Sequence, residues 1–154
     1  MSTLTEGTEA PATRRLDQLL AHYSESHLHP RNAAIHCVAV PLIEVSLVGL
    51  MYAAHPWIAY AFLLASMVYY VLLGSWVFVV SMAATSLLAV LIVQSLGGYV
   101  LPVSVAVFVI AWVAQFVGHK IEGKKPSFFE DLQYLWVGPL FVLAKLFNKL
   151  GIRY

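Results

Sequence analysis

Five of the six histidines, His22, His27, His29, His36 and His119, stand beside apolar segments rather than inside them. Neutral imidazole is the commonest metal ligand, but a useful site needs several rings brought to one point. Gln115, His119 and Glu122 follow one another at spacings of four and three. On a continuous helix they share a face, so a nitrogen ligand and a carboxylate can aim at the same place. His27 lies in the turn before Asn32, and His36 lies one helical turn after it. Asn32 can cap that helix or orient a ligand. Eighty-three residues separate His36 from His119, so the fold decides whether these groups meet.

The elements that must position them read as membrane helices. Only 11% of the 154 residues are charged and 60% are hydrophobic, whereas a soluble domain carries about 25% charge. Residues 45–118 form 74 consecutive positions without Asp, Glu, Lys or Arg. No soluble fold of this size hides such a stretch, and a bilayer explains it. Four apolar stretches lie at 33–54, 56–73, 75–96 and 99–119, with connections of a few residues. Each is long enough to span, and the short connections predict that sequential helices are antiparallel neighbours. Upstream, Leu16, Leu19, Leu20 and Tyr23 make the stripe of an amphipathic surface helix. Downstream, 128–154 mixes apolar residues with Glu130, Asp131, Lys145 and Lys149, and Gly138-Pro139 predicts a break into an interfacial helix pair. A fifth span there is the minority reading. The expected fold is therefore an all-α polytopic membrane bundle of four transmembrane helices with amphipathic terminal helices. Residues 1–13 read as a disordered tail and 14–154 as one domain.

All nine Lys and Arg lie before the first span or after the fourth. Four spans place both termini on one side, and the positive-inside rule makes that side cytoplasmic. The membrane would be the inner membrane of a bacterium or the endoplasmic reticulum of a eukaryote. Five histidines then share one depth. His55, beside Pro56 and Trp57, reads as an interfacial anchor on the opposite side, and Lys124-Lys125 as a contact for anionic headgroups. Glu44 stands inside the first span, where a carboxylate is costly and is either functional or satisfied by a neighbouring helix. The single cysteine, Cys37, excludes an intrachain disulfide. There is no phosphate-binding glycine loop and no nucleophile elbow, and the few basic residues exclude nucleic acid as a partner. Oligomeric state is not legible.

Two blocks carry a family resemblance. The first is Tyr23 through His27, then Asn32, Ile35 and His36, then Val40-Pro41-Leu42. The second is Trp112, Gln115-Phe116, Gly118-His119, Glu122 and Pro126. Together they resemble the small membrane proteins typified by the fungal 2-hydroxy fatty acid dioxygenase of fatty acid α-oxidation, over nearly all of 14–145. The resemblance implies an Fe(II)-dependent enzyme that uses O₂ to shorten a 2-hydroxy long-chain fatty acid by one carbon. It places the iron ligands on His27, His36 and His119, with Glu122 as a further ligand or base and His29 near enough to substitute. Tyr23, Asn32 and Gln115 are expected to surround the ligands. Two other classes compete: a non-catalytic membrane protein that binds or transports metal or lipid, and a haem protein with histidines on two helices. A transporter is expected to carry ionisable groups at mid-bilayer on several spans, whereas here Glu44 is alone.

Overall fold

The computed structural model describes residues 14–123, 132 and 134–154, all in helices and short connections. The 1–13 tail and the Lys124-Lys125, Pro126, Glu130 and Asp131 expectations lie outside the described residues. Six α-helices are formed among them: α1 Arg15–Ser24, α2 Pro30–Ala54, α3 Pro56–Leu72, α4 Trp76–Ser95, α5 Val100–Glu122 and α6 Val137–Leu150. A single 3₁₀ turn, Gly97–Tyr99, joins α4 to α5.

Helix boundaries follow from proline, histidine and glycine chemistry. His29-Pro30 and His55-Pro56 open α2 and α3 in the same way. Proline occupies the first turn, where its missing N–H costs nothing. The imidazole Nδ1 before it accepts from the backbone N–H two residues on, Arg31 at 3.2 Å and Trp57 at 3.3 Å. His55, like His29, is thus a helix cap. Gly123 and Gly151 close α5 and α6 in the left-handed conformation, at φ 78° and 69°.

Three helices are long and apolar enough to cross a membrane: α2, α4, and α5 with its leading turn. At 17 residues α3 is shorter, about 26 Å by helical rise against roughly 30 Å of hydrocarbon. The bundle is apolar outward and sparsely polar inward. Leu64, Leu72, Val80, Leu87 and Ile110 are exposed on α3–α5, while Ser46, Ser66, Ser86 and Ser104 are buried between helices. Small and hydroxylic residues at helix contacts are what packing requires where the solvent is itself apolar.

The principal partner of α5 is α2, not the sequence neighbour α4, which corrects the expectation drawn from the short connection. The reason is steric fit. Gly49 lets Ser104 approach so closely that a Cβ at 49 would strike Ser104 Oγ and lie 3.1 Å from its Cβ. Further along, Ala39 and Ile43 pack on Ala111 and Trp112. At the far end, Gly118 faces Asn32 and His36. The pairs 49 with 104 and 32 with 118 make the two helices antiparallel along their whole contact.

At the C-terminus, Gly138-Pro139 stands at the start of α6, and the segment expected to pair with α6 across that break lies largely outside the described residues. Gly138 and Pro139 lie in the first turn of α6, where a proline displaces no hydrogen bond. One face of α6 is packed: Leu140, Phe141, Ala144 and Phe147 are buried with Leu16, Leu20 and Tyr23 of α1. Lys145 and Lys149 are exposed on its other side, the amphipathic pattern expected of a terminal helix.

The α2–α5 contact carries a test. Gly49→Ala should lower unfolding stability by about 1–3 kcal/mol in detergent, as overpacking does, and Ser104→Gly should restore most of it by removing the colliding side chain. Unfolding monitored by circular dichroism reads both. An unchanged Gly49→Ala protein would contradict this helix contact.

Candidate metal centre

Three elements deliver three histidines to one point. His27 lies in the middle of the α1–α2 connection, His36 is nearly two turns into α2, and His119 is in the last turn of α5. All are buried, at 6%, 0% and 6% exposure. One ligand nitrogen from each can be chosen so that all three lie within 4.8 Å of one another. Ring centroids are 4.2 Å apart for His27 and His36, 4.8 Å for His36 and His119, and 5.6 Å for His27 and His119.

Local hydrogen bonds set which nitrogen faces inward. His27 Nδ1 lies 2.7 Å from the Tyr23 carbonyl, and His36 Nδ1 lies 3.0 Å from that of Asn32. A carbonyl only accepts, so Nδ1–H donates in both, and Nε2 is the nitrogen with the lone pair. This is the arrangement that orients histidines bound to metals. The triangle is slightly open: two nitrogens each about 2.1 Å from one ion stand at most about 4.2 Å apart. Small ring rotations close it, so the donor set fits a metal ion.

The walls explain why the rings stay together. Tyr23 stacks on His27 at 4.3 Å with 10° between planes, and Phe141 of α6 contacts both, at 5.0 Å from Tyr23 and 5.2 Å from His27. Behind His36, Gly118 has no room for a side chain: a Cβ there would strike Asn32 Oδ1 and sit 3.3 Å from His36 Cε1. Gln115 is buried one turn before His119, and with Tyr23, Val40 and Ile43 it lines a narrow cleft alongside α2.

Two expected ligands are turned elsewhere. Glu122 shares the His119 face as its spacing requires, but both carboxylate oxygens accept from the α1–α2 connection. The donors are Leu28 N–H at 3.0 Å, His29 N–H at 2.9 Å and Asn32 Nδ2 at 3.0 Å. Asn32 Nδ2 also donates to the Ser26 carbonyl at 3.0 Å. Glu122 thus ties the end of α5 to the segment that carries His27. His29 is exposed and caps α2. Neither joins the three-histidine group. His22 is likewise outside it, beside Glu25 at 3.6 Å.

The comparison with protein families settles the kinship. A model described as 2-hydroxy-palmitic acid dioxygenase Mpo1-like matches residues 13–150. The chain belongs to the Mpo1-like family. No curated protein and no solved structure matches it. The match includes α1, all three histidines and all of α6, so the Mpo1-like region covers every described helix.

Phe141 and Gly118 are the site residues that spacing did not assign. Gly118 stood in the second block without a role, and its signal is the small residue next to a candidate ligand. Phe141 carries no signal, because its place depends on how α6 docks. The tether generates a prediction. Glu122→Ala should weaken metal binding by about 10–100-fold, the range for groups that orient ligands, and lower stability by about 1–3 kcal/mol from the lost charged hydrogen bonds. Metal titration and thermal unfolding read the two effects. Metal affinity equal to that of the unsubstituted protein would contradict the tethering role.

Proposed function

We propose that this protein is a membrane-embedded, ferrous-iron-dependent dioxygenase that uses O₂ to shorten 2-hydroxy long-chain fatty acids by one carbon. One observation carries the reading: three buried imidazoles from separate elements converge at one end of an apolar bundle, in a chain of the 2-hydroxy-palmitic acid dioxygenase Mpo1-like family. Three protein nitrogens leave open positions, as non-haem iron oxygenases require. Bound iron would supply oxygen activation next to the C1–C2 bond of the acid.

The chain's own residues supply position and surroundings. His27, His36 and His119 hold the ion. Tyr23 and Asn32 fix two of the rings through their carbonyls, and Glu122 holds the connection that carries His27. With its polar head at the histidines, the acid's chain would lie among the apolar helices, on the side of α2 where Tyr23, Val40, Ile43 and Gln115 line a narrow cleft. We further read the bundle as four spans, α2 to α5, with both termini on the cytoplasmic side, because the Lys and Arg residues gather there.

The reaction is tested with protein purified in detergent, loaded anaerobically with Fe(II), then given 2-hydroxypalmitate and air. A fatty acid one carbon shorter is the expected product. His27→Ala, His36→Ala and His119→Ala should each lose at least about 100-fold in turnover, since ligand loss costs more than loss of an orienting group. Variants that keep both metal and turnover would overturn the site assignment.

A further inference from the structure

Glu44 occupies an unusual place. It is the one acidic residue on α2, two turns beyond His36 on the same face, and three clefts share it. The first runs from Tyr23 and Gln115, beside the histidines, along Val40 and Ile43. The second lies against Ser66, Tyr70, Ser86 and Trp136. The third is bounded by Val45, Met82, Leu88, Val142 and Leu143, and is an open cleft of about 130 Å³ with an almost wholly apolar lining. Pro139 lines all three as well, so they meet between Glu44 and the start of α6.

No hydrogen bond or ion pair reaches Glu44 among the described residues. The nearby polar groups are engaged with one another. Tyr70 Oη donates to the Trp136 carbonyl, Trp136 Nε1 donates to Ser66 Oγ, and Ser66 Oγ donates to the Phe62 carbonyl. A carboxyl group inside an apolar span is costly and marks a functional position. A divalent cation does not suit it, because such ions take several oxygen ligands and none of residues 45–118 is charged. A neutral group that hydrogen-bonds does suit it.

The position along the passage identifies that group. From His36 to Glu44 the helix rises about 12 Å. An extended chain of single bonds advances about 1.2 Å per bond, as the backbone itself does. A chain whose head is at the histidines therefore passes Glu44 about ten bonds on, before it enters the apolar cleft.

We propose that Glu44 is a specificity-determining residue that hydrogen-bonds a second oxygen function in the middle of the substrate's chain, so that the preferred ligands are 2-hydroxy acids also hydroxylated about ten bonds from the carboxyl. This rests on the reading that the acid's head binds at the three histidines. An unsubstituted chain leaves Glu44 unmatched, and sites built to hydrogen-bond a hydroxyl reject analogues that lack it.

Affinity and turnover separate the two claims. The Fe(II)-loaded protein, kept anaerobic, is titrated with 2-hydroxypalmitate and with a series of its analogues hydroxylated at successive chain positions. The expected result is a peak near mid-chain, about tenfold tighter than the plain acid, as one net hydrogen bond allows. Glu44→Leu should abolish the peak and favour the plain acid, while Glu44→Gln should keep much of it. A series flat in position for the unsubstituted protein, or a peak unchanged in Glu44→Leu, overturns the inference. Turnover in air reads the reaction alone: a shortened product with a flat affinity series keeps the dioxygenase and discards the role of Glu44. An affinity peak without product does the reverse.

Discussion

Close approach of α2 and α5 is the constraint on which the site depends. Two of the three imidazoles come from these helices, and they meet only because the backbones nearly touch. Gly49 opposite Ser104 sets the approach at one end, and Gly118 opposite Asn32 and His36 sets it at the other. In hydrocarbon there is little hydrophobic gain from pressing helices together, so contact must come from fit. Glycine supplies it here by leaving room for a hydroxyl at one end, and for an amide and an imidazole at the other.

The third imidazole is held by polar chemistry instead. His27 lies in a connection, which has more freedom than a helix. The Glu122 carboxylate removes that freedom by gathering two backbone N–H groups and the Asn32 amide. Asn32 is central to this end of the molecule. Its carbonyl accepts from His36, its amide donates to Glu122 and to the Ser26 carbonyl, and its side chain fills the space Gly118 leaves. Phe141 and Tyr23 then cover His27 with rings that bring no competing ligand. Packing and hydrogen bonding therefore converge on the same few residues.

Much of this was legible because the bilayer forces strong patterns. A stretch of 74 residues without charge admits few architectures, and prolines and glycines mark nearly every helix end. The three histidines could be grouped because helix ends at one depth are few. What remained hidden depended on lateral packing. Short connections specify that α4 and α5 follow each other, but the partner of α5 is chosen by close contacts between residues 55 to 86 positions apart, Gly49 with Ser104 and Asn32 with Gly118. Periodicity placed Glu122 on the His119 face, yet it could not say that nearby N–H groups would claim the carboxylate. The lysines of α6 marked its exposed side, but the docking that puts Phe141 against His27 was not legible.

The family membership and the triad point to the same chemistry from different directions, one through likeness over most of the chain and one through the tautomers that hydrogen bonds impose. The most direct test is metal-edge X-ray absorption on the Fe(II)-loaded protein. The account predicts one iron per chain with three imidazole nitrogens at about 2.1 Å, falling to two in His119→Ala. Iron bound with the same imidazole count in that variant, or held by oxygen ligands alone, would contradict the account.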